Sequence, residues 1–305
     1  MDTPARIGGF VVGLAAVFAA AAGIGALVGP VGSAGAAESA AHGGHTGTTT
    51  DAADPATATD VPGGLMVSEG GYTLELSSTE LAAGPAVPVT FQVLGPDGQP
   101  LTGYDERHDE RLHLIAVRRD ISGYQHVHPD LAADGSWSTP LTLTPGNWRF
   151  FADFDPAGDD PAVTLGGDVA VAGRYDPEPL PAPSRTAEVD GYTVTLDGDL
   201  VPGEESELTL SVSRDGRPVA DLQPYLAAYG HLVALRDGDL AYLHVHPDGA
   251  PGDGRTQPGP EVAFSAAVPS VGTYRLFLDF RHEGVVRTAE FTAQTVGAST
   301  GSGDR

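Results

Sequence analysis

His231-Leu-Val-Ala-Leu-Arg-Asp-Gly-Asp-Leu-Ala-Tyr-Leu-His-Val-His-Pro247 sets two apolar runs on either side of an Asp-Gly pair, the signature of a β-hairpin. The chain carries the same stretch earlier, as His113-Leu-Ile-Ala-Val117, Arg119-Asp-Ile-Ser-Gly123 and Tyr124-Gln-His-Val-His-Pro129. Each histidine recurs after 118 residues, from 113 to 231, 126 to 244 and 128 to 246. The flanking sequence repeats too. Gly191-Tyr-Thr-Val-Thr-Leu196 answers Gly71-Tyr-Thr-Leu-Glu-Leu76, and Arg275-Leu-Phe-Leu-Asp-Phe280 answers Arg149-Phe-Phe-Ala-Asp-Phe154.

Short alternating segments punctuated by Gly, Pro and Asp are strand and turn signals, and no long amphipathic helix follows the N-terminus. The reading is an all-β chain of two tandem immunoglobulin-like or cupredoxin-like β-sandwich domains behind an N-terminal signal or anchor helix. Domain 1 is expected over residues 67–173 and domain 2 over 188–293. A Pro-rich linker covers 174–187, a flexible linker 37–66 and a disordered tail 294–305. Residues 8–31 are uncharged and apolar, so 1–36 reads as a signal peptide or membrane anchor. The domains are then secreted, or anchored outside the cytoplasm.

Composition narrows the chemistry. The net charge is −25, every one of the 16 basic residues is arginine, and an acidic surface of this kind argues against nucleic-acid partners. With no cysteine and methionine only at Met1 and Met66, any metal site must use nitrogen and oxygen ligands.

A hairpin with an even-length loop pairs residues whose numbers have an odd sum, so His231 faces His244 or His246, and i, i+2 neighbours share that face. The same parity gathers His113, His126 and His128. Strand neighbours at i, i+2 sit about 6.5–7 Å apart and metal–nitrogen bonds are about 2 Å, so the imidazoles must lean together. Three neutral imidazoles with an open position suit copper(II) or zinc. The expectation is one three-histidine metal site per domain, with the second copy the better defined by its Asp-Gly turn. Asp153 and Asp279 are candidate extra ligands or acceptors for a histidine N–H; pairing with Arg149 and Arg275 is the competing reading. His108 and His282 have no counterpart in the other copy and read as structural. Tyr124 and Tyr242 read as packing residues, and His42 and His45 as part of a solvated linker.

The segments around His113 to Phe154, together with Pro224-Tyr-Leu-Ala-Ala-Tyr-Gly-His231 and Leu243-His-Val-His-Pro247, resemble a group of uncharacterised bacterial proteins, secreted or membrane-anchored. Those proteins carry tandem β-domains with this histidine motif. The resemblance implies an association with heavy-metal, chiefly copper, handling. The chain departs from the pattern where Tyr104-Asp-Glu-Arg-His-Asp-Glu-Arg111 replaces the Pro-Tyr-Leu approach, which puts the equivalence of the two copies in question.

The function expected from sequence is extracytoplasmic copper(II) or zinc buffering or delivery, with a membrane metal transporter as a candidate partner. The alternative is a non-catalytic adhesion or scaffold protein with structural histidines. No nucleophile elbow, phosphate loop or zinc-protease helix is present, so the chain is not read as an enzyme.

Overall fold

A computed structural model describes residues 61–243 and 245–297; the expected signal or anchor, most of the first linker, His244 and the end of the tail lie outside them. The described residues form strands and no helix. In chain order the first module holds β1 (Ser68–Glu69), β2 (Tyr72–Leu76), β3 (Glu80–Ala82), β4 (Gly84–Leu94), β5 (Tyr104–Asp105), β6 (Leu112–Arg118), β7 (Gln125–Val127), β8 (Asp130–Leu131), β9 (Ser136–Leu143), β10 (Gly146–Pro156) and β11 (Val163–Ala172). The second holds β12 (Thr186–Val189), β13 (Tyr192–Asp197), β14 (Glu205–Arg214), β15 (Arg217–Pro218), β16 (His231–Arg236), β17 (Tyr242–Leu243), β18 (Val245–Pro247), β19 (Glu261–Ala267), β20 (Thr273–His282) and β21 (Val285–Gln294).

Strand order gives the fold class. One sheet of each module contains β2-β4-β9-β8 or β13-β14-β19-β18, and the other β7-β6-β10-β11 or β17-β16-β20-β21. These are the A-B-E-D and C′-C-F-G orders of an immunoglobulin-like sandwich. In the first module β3 also pairs in parallel with β11. Each sandwich closes over its own core: Phe91, Trp137, Trp148, Phe150 and Phe154 in the first, Tyr192, Phe264, Tyr274, Phe280 and Phe291 in the second.

β6 and β16 do not alternate. Every residue of Leu112–Arg118 is buried, as is nearly every residue of β16. Leu112, Leu114 and Ala116 face their own sandwich, while Ile115, Val117 and Phe151 meet Val233, Leu235, Tyr242 and Phe277 in a third core shared by the two modules. The contacts are reciprocal. Tyr124 stacks on Phe277 with ring centroids 4.0 Å apart, and its repeat equivalent Tyr242 lies against Phe151, the equivalent of Phe277, at 5.8 Å. Such reciprocity is the mark of an isologous contact, here made within one chain.

The linkers are more ordered than composition suggested. Residues 63–66 run as a strap along β11: Gly64 N–H donates to Thr164 O (2.7 Å), Gly166 N–H to Met66 O (2.8 Å), and the Arg149 guanidinium to Gly64 O (2.6 Å) and Leu65 O (2.9 Å). Gly64 has φ +73°, and a Cβ there would sit 2.4 Å from the Phe151 ring, so only glycine fits. Residues 63–66, the end of the expected linker, are therefore held by backbone hydrogen bonds. Within 174–187, Glu178 N–H bonds Asp120 (2.9 Å) and Ser184 N–H bonds Thr292 O (3.0 Å). At the other end, Thr295 and Val296 N–H groups still bond Gly272 O and Leu200 O, so order extends past the expected start of the tail at 294. In each case a backbone N–H with a partner in the sandwich fixes a segment whose side chains carry no periodic signal.

Both tryptophans, Trp137 and Trp148, lie in the first module, and Phe277 lies in the second. Phe277→Ala should cost about 3–5 kcal/mol and, because its ring belongs to the shared core, lower the urea midpoint reported by tryptophan fluorescence. An unchanged tryptophan midpoint would mean that the modules unfold independently.

Candidate metal centre

The parity argument holds in the first module. β6 pairs with β7 as Leu114↔Val127, Ile115↔His126 and Ala116↔Gln125, which places His126 on the face of Ile115 and, one step on, His128 opposite His113. That face is turned toward the second module. His113, His126 and His128 come together with ring centroids 5.0–5.3 Å apart, and their ligand nitrogens lie within 4.8 Å of one another.

In the second module the expectation of a common face fails. β16 pairs with β17 as Ala234↔Leu243 and Leu235↔Tyr242, the parity expected, but the chain then leaves that sheet. Val245, His246 and Pro247 pair instead with Ala266, Ser265 and Phe264 of β19, which puts His246 on the other sheet, where it is exposed. The reason lies in the core. Leu243 is buried against it from one sheet and Val245 packs on it from the other, so the strand must cross between them. The first module crosses later, between β7 and β8, and keeps His126 and His128 beside His113. His231 accordingly joins the first module's histidines. Its ring is 5.5 Å from that of His113, nearly parallel to it, and 4.7 Å from that of His126.

Asp279 is the link across the interface. It is register partner of His231 and lies 2.8 Å, through Oδ2, from His126 Nδ1, both side chains being almost fully buried. Its other oxygen accepts from Thr288 Oγ1 (2.5 Å). Asp153, the equivalent position, accepts from Thr164 Oγ1 (2.7 Å) and pairs in register with His113. Neither aspartate takes an arginine. Arg149 bonds Asp168 and the strap, and Arg275 bonds Glu290 and Thr292.

A turn unnoticed in the sequence covers the cluster. Arg107↔Glu110 and Tyr225↔Ala228 are bridged at positions 118 apart, and the central residues of both turns, His108 and Asp109, then Leu226 and Ala227, have positive φ. The first turn carries the polar groups. Arg107 O takes His113 Nε2 (3.1 Å), His108 packs its ring on His113 and His231, and Glu110 lies 3.6 Å from His128 Nδ1. Asp109 accepts from Ala227 N–H of the matching turn at 2.9 Å. His108 thus belongs to the cluster although its copy is a leucine. His282 does not: at the C-terminal end of β20 it bonds Tyr192 OH (2.7 Å), a residue of the second module's own core, and Asp221 (3.1 Å).

These contacts fix tautomers. A carbonyl oxygen only accepts, so His113 carries its proton on Nε2 and presents a bare Nδ1. An ionised Asp279 likewise holds the proton of His126 on Nδ1 and leaves Nε2 bare. Those two bare nitrogens face each other at 3.0 Å. His128 Nε2 and His231 Nδ1 are buried with no hydrogen-bond partner. Two arrangements relieve the opposed lone pairs: a cation between them, or a proton on Asp279 that turns His126 over to its other tautomer.

Burial pushes His126 and His231 well below the ordinary histidine range, and neighbouring imidazoles push further the same way. Burial also lowers His108, His113 and His128. It raises Asp279 to about 7 against the hydrogen bond from Thr288. As pH falls through about 6.5 the unfolded chain protonates these histidines first, so stability is lost; Asp279 acts oppositely between about 7 and 4. Five groups outweigh one. Thermal unfolding of the chelator-treated protein should therefore occur at lower temperature at about pH 5.5 than at about pH 7.5; an equal or higher Tm in acid would contradict the burial of neutral imidazoles.

A family model described as a domain of unknown function, DUF8832, matches the chain twice, at residues 67–170 and 187–297. No curated protein matches in sequence. Among solved structures, the Escherichia coli adhesin FdeC is 16% identical with a TM-score of 0.24, over 75% of this chain and 65% of that one. InvD of Yersinia pseudotuberculosis is 11% identical (TM-score 0.24, 78% and 61%), and a chimeric titin Z1Z2-Z1Z2 tandem 14% identical (TM-score 0.20, 74% and 97%). The chain spans less than two thirds of FdeC and of InvD. Likenesses this distant bear on neither ligand nor partner.

Proposed function

The chain belongs to the DUF8832 family, with two copies of the domain that meet at one histidine cluster, and from that arrangement we propose an extracytoplasmic protein that binds a divalent transition metal, copper(II) or zinc. The observation that carries the reading is the pair of opposed nitrogens, His113 Nδ1 and His126 Nε2 at 3.0 Å, each with its other ring nitrogen committed to an oxygen. A metal with bonds of about 2.0–2.1 Å needs such nitrogens only a few tenths of an ångström further apart. His128 supplies the third ligand. Asp279 orients His126 as a carboxylate beside a ligating histidine does, and with Glu110 it offsets the charge of a divalent ion. The ligand set is nitrogen-rich and neutral, which suits copper(II) and zinc and not calcium or magnesium.

In this reading the metal site is shared between modules and not duplicated, one cluster serving the chain. The apolar run at 8–31 supports work outside the cytoplasm, in buffering the metal or passing it to a membrane transporter. A second reading, a scaffold or adhesion protein with structural histidines, is favoured by one observation: the apolar core between the modules holds them together without an ion. There Asp279 carries the proton and His126 donates to His113.

Titrating the untagged, metal-stripped chain with copper(II) and zinc separates the two. Asp279→Asn should weaken binding about 10–100-fold, replacement of His113, His126 and His128 together by alanine should abolish it, and affinity should fall as pH drops through the histidine range. Equally negligible binding by the native chain and the triple variant would leave the scaffold reading standing.

A further inference from the structure

His126 is the one residue common to two ligand groups. The first is His113, His126 and His128, and the second is His126, His231 and Asp279, with ligand atoms in each group within 4.8 Å of one another. The ring separates them. Nε2 lies 3.0 Å from His113 Nδ1, and Nδ1 lies 2.8 Å from Asp279 Oδ2, so the two nitrogens of one imidazole serve opposite sides. His231 and Asp279 are register partners on β16 and β20, are buried together, and come wholly from the second module. His231 Nδ1 has no hydrogen-bond partner although it is buried among the other rings.

We infer that the cluster is a two-ion centre, in which a second divalent transition metal ion binds His126 Nδ1, His231 and Asp279, and His126 bridges the ions as an imidazolate. The inference rests on the metal-binding reading of the first group. At one equivalent His126 keeps its Nδ1 proton, donated to Asp279. The second ion replaces that proton, which leaves to solvent as both ring nitrogens become ligands. With metal–nitrogen bonds of about 2.0–2.1 Å on each side of the ring, the ions stand about 6 Å apart. The charge is bearable. Asp279, the imidazolate and Glu110 offset three of the four positive charges, in a chain whose net charge is −25. Each ion also keeps an open position, since three protein ligands do not fill its coordination sphere.

The test is copper(II) titration of the full, untagged native chain, with metal analysis after desalting and electron paramagnetic resonance at each step. Two retained equivalents are expected. The signal should rise to one equivalent and then fall below that maximum with the second, because a bridging imidazolate couples the two unpaired spins. Asp279→Asn should retain one equivalent with an uncoupled signal, and His126→Ala should never show coupling. Retention of one equivalent by the native chain, or of two with a doubled signal, overturns the two-ion centre and leaves the first site intact. Retention of none overturns the metal-binding reading itself. The native-chain measurement decides the matter even if a variant fails to fold.

Discussion

Packing the outer face of β6 and β10 on the outer face of β16 and β20 removes water from both, and the histidine cluster exists only inside that contact. Ile115, Val117 and Phe151 from one module and Val233, Leu235 and Phe277 from the other are fully buried. His113 and His231 continue the same rows, at the end of the interface where Asp153 and Asp279 are their register partners. Burying polar groups beside a dry core is costly unless each is satisfied. Most are, through Thr164, Thr288 and the Arg107 carbonyl; among the atoms left over are His128 Nε2 and His231 Nδ1 in the cluster, Arg107 Nη1 in the turn above it, and Tyr124 OH and Arg275 Nε beside the shared core.

Duplication made the contact possible and asymmetry made it a single site. An interface between two copies of one surface brings residues at its centre of symmetry near their own equivalents, as His113 meets His231, and makes the other pairs reciprocal, as with Tyr124–Phe277 and Tyr242–Phe151. Two departures break that symmetry. The second module's chain changes sheets between Leu243 and Val245, which puts His246 on the other sheet, and the first module's 107–110 turn holds Arg, His, Asp and Glu where the second has Tyr, Leu, Ala and Ala. The polar turn is the one that closes over the cluster and clasps its apolar equivalent through Asp109.

Much of this was legible in the sequence, and the part that was not has a physical cause. Hairpin parity, which needs only a period of two, placed His113, His126 and His128 on one face. The same parity gave the right register for Tyr242 and Leu243 but assumed one continuous strand, and strand continuity is decided by core packing on both sheets. The meeting of His231 with the other copy's histidines has a sign in the sequence: His113-Leu-Ile-Ala-Val117 and His231-Leu-Val-Ala-Leu235 are apolar without alternation, as strands covered on both faces are. What no periodicity announces is the backbone strap at 63–66, where glycine is required by the Phe151 ring packed against it.

The same burial that makes these histidines weak bases makes them available as ligands. An imidazole kept neutral offers its lone pair without first shedding a proton, and a cluster of neutral rings gains more from a divalent cation than from a single proton, since the cation engages several lone pairs at once. Against this stands Asp279, whose burial raises it to about 7, close enough to neutrality for a proton to compete for the same role. A cation beside Asp279 favours its ionised form, which fixes the His126 tautomer that presents Nε2 to the cation. Protonation selects the opposite tautomer and turns the pair at 3.0 Å into an ordinary hydrogen bond. The cluster therefore has two self-consistent states, a cation with Asp279 ionised or one added proton on Asp279 with His126 in its other tautomer, and Asp279, a residue of the second module, selects between them for the histidines of the first.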